Sequence, residues 1–509
     1  MGEKGITEPR ASAFSAEDLV FRYYEKGKRN ILDHVSLSVK AGKITVITGG
    51  SGCGKSTLGL VLCGLLPENG GFLESGEIRL FGRDVKELSA SERALLFSVM
   101  FQNPDLQFCM DTLRREMIFC LENLRTAPEK MDGIIEKTAG FFGMEALLDR
   151  KLQTLSGGEK QKGILACLYA MKSRCLFLDE PFANLDPGSA HEILEGLKKV
   201  KEDGRTVVAI DHRLDYWLPY ADEIVILGEG GRVLATGITK DNISEYRELF
   251  LREGVYYPEE RKGVSEKPDF NEAEDTVEVN IRTLFRQDVK RKRKRPGRDA
   301  ENVGDSDSVK NAVLRNINLK FKAGSITAIL GRSGIGKTTF LMALLGQADF
   351  SGEIRILGRP IEEYRPHELY SKVGIVFQNP ANQFITQRVE DEIAESIRIW
   401  EPGISEEKCR ERACELLESY GLKRYRNYSP FMLSQGQQRR LAVLSVLSGN
   451  QKILLLDEPT YGQDRRSMDE MMRHITRKAG EEGLTVIFTT HDENVADMWA
   501  DRKIYFERD

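Results

Sequence analysis

Two long stretches of the chain repeat each other, motif by motif and in the same order. The run ILDHVSLSVKAGKITVITGGSGCGKSTL matches VLRNINLKFKAGSITAILGRSGIGKTTF. FQNPDLQF then matches FQNPANQF, LSGGEKQKGILA matches LSQGQQRRLAVL, CLFLDEPFANLD matches ILLLDEPTYGQD, and AIDHR matches TTHDE. The offset stays near about 280 residues, which describes two copies of a whole domain and not a solenoid of short repeats. A chain of 509 residues is also too long for one compact core. The expected division is a first domain over 11–240, a polar connector over 241–275 and a second domain over 276–509.

Each copy reads as α/β. KITVITGG and SITAILGR are short, apolar and β-branched and end in glycine, as buried strands do. STLGLVLCGLL and TTFLMALLG follow as helices; RCLFLDE, KILLLDE, RTVVAIDH and LTVIFTTH supply further buried strands. Apolar strands alternating with helices predict a mainly parallel sheet covered on both faces.

The strand-to-helix junctions carry the chemistry. Gly49, Gly50, Ser51, Gly52, Cys53, Gly54, Lys55, Ser56 and Thr57 fit G-x-x-x-x-G-K-[ST]. Gly331, Arg332, Ser333, Gly334, Ile335, Gly336, Lys337, Thr338 and Thr339 fit it again. Glycines let the backbone wrap a phosphate without Cβ clashes, and the helix N-terminus adds positive potential. Lys55 and Lys337 are expected to neutralise the β- and γ-phosphates, and Ser56 and Thr338 to offer a hydroxyl to Mg²⁺. Two matches in register within a repeat are far more specific than one.

Asp179-Glu180 and Asp457-Glu458 each end an apolar strand. Carboxylates there must leave the sheet at its C-terminal end, where ligands bind in open α/β sheets. Asp179 and Asp457 are the expected Mg²⁺ holders, and Glu180 and Glu458 the expected polarisers of an attacking water.

Composition narrows the setting. Apolar residues make up 40% and the net charge is −5, which suits a globular protein and gives no general reason to expect nucleic-acid binding. No stretch approaches the ~18 apolar residues of a membrane span, and MGEKGITEPRASAF lacks the apolar core of a signal peptide. The chain is therefore expected in the cytosol, reaching a membrane only by docking on a partner. None of the eight cysteines forms a C-x-x-C pair, which argues against a zinc site and a disulfide framework.

LSGGE, Leu155 to Glu159, together with the upstream phosphate loop and the downstream Asp-Glu pair, resembles the signature of ABC ATPases. The resemblance covers nearly all of both halves. It extends to Gln102 and Gln378, to Asp186 and Asp464, and to His212 and His491. It implies two tandem P-loop NTPase domains of ABC type, each with a mainly parallel sheet core, an antiparallel β subdomain and a helical subdomain. It also implies Mg²⁺-dependent ATP hydrolysis at two composite sites. Site one would join Lys55, Ser56, Gln102, Asp179, Glu180 and His212 to Ser434 and Gly436. Site two would join Lys337, Thr338, Gln378, Asp457, Glu458 and His491 to Ser156, Gly157 and Gly158. Gln102 and Gln378 would also reach the metal, and Tyr23 would stack on adenine.

FQNPDLQF and FQNPANQF further resemble the Q-loops of energy-coupling factor importers. That implies a peripheral ATPase on the cytoplasmic face of the cell membrane. Its partners would be a transmembrane coupling subunit and a separate substrate-binding membrane subunit, carrying a vitamin, a vitamin precursor or a metal ion. A soluble tandem ATPase acting on ribosomes and a fused sugar-importer ATPase stay open as alternatives.

The halves differ at three points: Gln435 stands at the place of Gly157, Gln287 at that of Tyr23, and Gln463 at that of Leu185. Gln435 is expected to crowd the phosphate and make the two sites unequal. Cys53, beside Lys55 at the start of a helix, is expected to be a reactive thiol that MgATP protects. The run KRKRKRPGR over 290–298 reads as a solvated charged loop.

Overall fold

A computed structural model describes residues 12–27, 29–102, 104–182, 185, 187–257, 273–286, 312–332, 334–449, 451–460 and 465–507. Asp186, Gln287, Ser333, Gln463, Asp464 and the basic run 290–298, all singled out in the sequence, lie outside the described residues. The chain divides into two compact units, Met1–Glu259 and Glu260–Asp509.

In the first unit β1 (Ser12–Arg22), β2 (Leu32–Lys40), β4 (Phe72–Leu80) and β5 (Arg83–Asp84) form an antiparallel sheet in the order β2-β1-β4-β5. A second sheet runs β10-β9-β3-β8-β7-β6. Its strands are β3 (Ile44–Gly49), β6 (Phe97–Met100), β7 (Cys175–Asp179), β8 (Thr206–Ile210), β9 (Glu223–Leu227) and β10 (Val233–Ile238). All its pairings are parallel except the edge pair β9–β10. The predicted strands are where the apolar runs put them, and β3 and β8 are buried at every residue.

One apolar core fills the space between the two sheets, with Phe14, Leu32, Leu58, Phe97 and Phe177 among its members. A second lies under the helices Leu113–Asn123, Pro128–Phe142 and Gly157–Ala170, which pack on one another. Phe250, Val255 and Tyr257 also join that core, so packed chain continues beyond Lys240.

The second unit repeats the plan. β11 (Asp275–Phe285), β12 (Ala312–Lys322), β14 (Phe350–Ile356) and β15 (Arg359–Pro360) form the antiparallel sheet. The parallel sheet runs β16-β17-β18-β13-β19, from β13 (Ile326–Leu330), β16 (Val373–Val376), β17 (Ile453–Asp457), β18 (Thr485–Thr490) and β19 (Arg502–Tyr505). Helices Val389–Trp400, Glu406–Ser419 and Gln435–Leu447 form the helical part. In both units β–loop–α junctions therefore open at the C-terminal ends of the central strands, the expected place for a ligand.

Candidate functional site

Each phosphate loop leaves its strand and enters a helix, Lys55–Leu62 or Lys337–Leu344. Gly54 and Gly336 precede these helices with φ of 107° and 114°, a backbone region that favours glycine. Gly49 allows a close approach: a Cβ there would stand 2.2 Å from the Leu227 carbonyl oxygen. Lys55 Nζ donates to the Gly49 and Gly50 carbonyls at 2.8 and 2.9 Å, and Lys337 Nζ to the Gly331 carbonyl at 2.6 Å. Both lysines are buried, so their charges sit inside the loops with carbonyl dipoles as partners.

The acidic pairs lie beside these loops. Thr338 donates to Asp457 Oδ2 at 2.8 Å, and Ser56 is a hydrogen-bond partner of Asp179. Burial, with the Glu180 charge next to it, pushes Asp179 up to about 6. Burial also raises Asp457, against the hydroxyls of Thr489 and Thr338. The glutamates go the other way. Burial presses Glu180 upward, but His212, Lys55 and Gln102 outweigh it and hold the carboxyl below its usual range. Burial is likewise outweighed at Glu458, by His491 and Lys337. Each glutamate is thus kept ionised, the state a water-polarising base needs.

The distances match those causes. Gln102 Nε2 donates to Glu180 Oε2 at 2.6 Å, and His212 Nε2 lies 3.3 Å from Glu180 Oε1. In the second unit His491 Nδ1 is 3.1 Å and Lys337 Nζ 3.5 Å from the Glu458 carboxylate. Glu180 and Glu458 both hold a positive φ, 49° and 48°. Such a conformation costs of order 1 kcal/mol for a residue with a side chain and is commonest at functional sites.

Gln378 is exposed, and its backbone carbonyl accepts from Arg439. The two loops after Gln102 and Gln378 fold back through a second glutamine. Gln107 accepts from the Phe101 amide at 3.0 Å, and Gln383 from the Phe377 amide at 3.3 Å. Leu106 and Ile385, on those loops, are 82% and 76% exposed.

The signatures begin helices. Ser156 and Ser434 cap Gly157–Ala170 and Gln435–Leu447 in full capping boxes with Glu159 and Gln437. A Cβ on Gly157 would meet nothing within 4 Å in its own unit, whereas one on Gly158 would press on Ser189 at 2.9 Å. So the first unit itself has room for a side chain at Gly157, and Gln435 stands exposed at the same place in the second. Any penalty on Gln435 has to come from what binds against the signature.

Tyr23 is half-exposed, edge-on to Phe21, and its hydroxyl is 3.0 Å from Thr57 Oγ1. Cys53 needs a correction. Its side chain turns inward, is 6% exposed and belongs to the core between the sheets. Ile335, its counterpart, is equally buried. The position is the core-facing one of the loop, which is why a small or apolar residue fills it, and the expected reactivity toward reagents loses its basis.

Sequence reading missed three residues around the acids. Arg439 is sealed in behind Asp457 and Glu458. Thr489 bonds Asp457 and the Glu458 amide. Asp211, raised to about 6 by burial, accepts from Trp217 Nε1 and the Arg213 amide beside His212. The available signal was difference within the repeat: these positions read Gln161, Ile210 and Thr490 in the other copy.

The fold and the site define a tandem nucleotide-hydrolysing protein with one phosphate loop and one acidic pair in each unit. The ABC transporter family model matches residues 32–183 and 314–461. A Bacillus subtilis protein named "Putative HMP/thiamine import ATP-binding protein YkoD" is 34% identical over 499 residues, covering 96% of this chain and 88% of that protein. A "Putative ABC transporter ATP-binding protein" of Saccharolobus solfataricus is 32% identical, covering 95% and 90%. Among solved structures, an archaeal ribosome recycling factor aABCE1 in complex with the stalk protein aP1 aligns with a TM-score of 0.61 over 97% of this chain and 88% of that one. At 22% identity that likeness concerns the fold alone. The chain belongs to the ABC transporter ATP-binding family, and it is an ATPase.

Proposed function

We propose that this ATPase powers a membrane importer of the energy-coupling factor type, carrying a vitamin or vitamin precursor. The observation that carries the reading is the pair of Phe-Gln-Asn-Pro loops, each with an exposed apolar side chain, Leu106 in the first unit and Ile385 in the second. In the second unit Ile385, Phe431 and Met432 are all exposed, and Phe431 packs edge-on to Phe384 of the loop at 6.1 Å. Exposed apolar groups gathered at one place mark a surface for a partner. Among the described residues no helix is long and apolar enough to cross a membrane, and in this reading the membrane path belongs to partner chains. The name of the B. subtilis relative supports thiamine-related cargo.

In this reading ATP lies between the phosphate loop of one unit and the signature of the other, as two composite sites. Lys55 and Lys337 neutralise phosphates, and Ser156 and Ser434 with their helix N-termini face the γ-phosphate. Glu180 and Glu458 polarise water, and His212 and His491 hold them. Mg²⁺ fits the donor set: Asp179 keeps a buried Oδ1 with no hydrogen-bond partner among the described residues, beside the Ser56 hydroxyl. Ser56, Asp179 and Gln102, and Thr338, Asp457 and Gln378, would hold the ion, which when bound supplies positive charge to the phosphates.

The test is affinity purification of the tagged full-length chain from detergent-solubilised native membranes. Integral membrane subunits are expected in stoichiometric amount. Recovery with ribosomes and without membrane subunits would overturn the proposal.

A further inference from the structure

The second unit seals a whole guanidinium inside itself. Arg439 belongs to the helix that Ser434 caps, and it is 1% exposed. Its Nη1 donates to the Glu458 carbonyl at 2.6 Å and to the Asp457 carbonyl at 3.4 Å. Its Nη2 donates to the Gln378 carbonyl. One side chain therefore joins the signature helix, the end of β17 and the loop that follows β16.

The first unit has no such group at that place. The repeat puts Gln161 there, also buried. An amide offers two N–H donors on one nitrogen and no charge, against five donors in a charged planar fork. In the first unit the side chain of Gln102 donates to Glu180 at 2.6 Å, which ties that loop to its acid.

Burial makes the Arg439 link stiff. A buried charge is costly unless its donors are met, so drawing any one carbonyl away leaves an N–H of a sealed cation without its partner. Glu458 is held in a left-handed backbone conformation, and its carbonyl is the closest to Nη1 of the two at the strand end. Loop, signature helix and acid are then constrained to move together.

We propose that Arg439 is a positioning residue of the second unit, holding Glu458 in register with the Gln378 loop and the signature helix through a guanidinium for which the first unit has an amide, Gln161. The inference rests on the reading of Glu458 as the water-polarising acid. It makes the second acid respond to movement of the signature helix, and it leaves the first acid responding to Gln102.

The test uses the full-length chain in two backgrounds. Glu180→Gln leaves turnover to the second acid, and Glu458→Gln leaves it to the first. Arg439→Gln is expected to lower kcat at least about tenfold in the Glu180→Gln background, with KM for ATP within about threefold. In the Glu458→Gln background the loss is expected to stay below about threefold. Arg439→Lys, which restores the charge with a poorer fork, is expected to recover part of the loss, and it carries the same comparison if Arg439→Gln does not fold. Equal losses in both backgrounds, with a lowered melting midpoint, would show a role in stability only and overturn the proposal. Full activity of Arg439→Gln beside a damaging Glu458→Gln would overturn it too, while leaving Glu458 in place. If adding Glu458→Gln to Glu180→Gln removed no turnover, the reading of the acid itself would fall, and this inference with it.

Discussion

Thr489 donates its hydroxyl to Asp457 Oδ1 at 2.7 Å, and the first unit has no equivalent of that bond. The parallel register sets Asp457 opposite Thr489 across β17–β18, and Asp179 opposite Ile210 across β7–β8. An isoleucine has nothing to donate. Asp179 Oδ1 is left buried without a hydrogen-bond partner among the described residues. Two acids with the same place in the repeat therefore carry different electrostatic loads, the first one heavier.

That load predicts how stability responds to pH. Burial and the neighbouring Glu180 raise Asp179 from 3.8 to about 6, so the folded chain binds this proton more tightly than the unfolded chain does. Between those values the group's contribution to stability falls as pH rises, and above about 6 the whole penalty is present. Asp179→Asn removes the charge. Without nucleotide and with EDTA, the variant is expected to be more stable than the parent at pH 8 by on the order of 3 kcal/mol. The gain is expected to fade as the pH is lowered toward 4, where the parent carboxyl is protonated in the folded state. Paired thermal melts across that range check it, and a gain that stayed constant with pH would contradict the electrostatic cause. Turnover with Mg²⁺ is expected to fall in the same variant.

A second expectation concerns the signatures. A Cβ on Gly157 has open space in its own unit, so Gly157→Gln should leave the melting midpoint nearly unchanged, as surface substitutions within about 0.5 kcal/mol do. Its effect should appear in turnover, because the exposed N-terminus of that helix is proposed to face a γ-phosphate. Gln435→Gly should do less harm, since it brings the second signature toward the first. Phosphate-release assays and melts on both variants separate the two terms. Equal losses of turnover would remove the argument that the signatures are unequal.

Much of this was legible in the sequence, because the repeat and the glycine-ended apolar strands are local patterns. The parallel sheets follow from apolar strands that alternate with helices, whereas the antiparallel sheets, the helical parts and the partners of Glu180 are implied by the resemblance to ABC ATPases. What could not be read depends on register and on side-chain direction. Ile210 and Thr489 matter through the carboxylate each faces across the sheet, which no spacing along the chain reveals. Arg439 looks like one more charged residue on a helix until the packing turns it inward. Cys53 shows the same limit: its place in the phosphate loop was evident, but its direction was not.

That direction leads to the last prediction. A thiol is attacked as thiolate and only where a reagent can reach it. Cys53 is 6% exposed, with its sulfur 3.8 Å from Lys55 Nζ and its surroundings formed by the core between the sheets. Cys109 is exposed on the loop that follows Gln102. Cys167 and Cys175 are buried; a hydrogen bond with Cys120, and then burial, raise the Cys167 thiol, and burial raises that of Cys175. Brief alkylation of the native, nucleotide-free chain should therefore modify Cys109 first and leave Cys53, Cys167 and Cys175 largely intact. Peptide mass spectrometry over a time course reads the order directly. Denaturant should bring Cys53 to the rate of the others, because only the packing protects it. If Cys53 were instead labelled fastest and MgATP shielded it, the loop would have to open widely in solution, and the inward placement of this thiol would not describe the nucleotide-free protein.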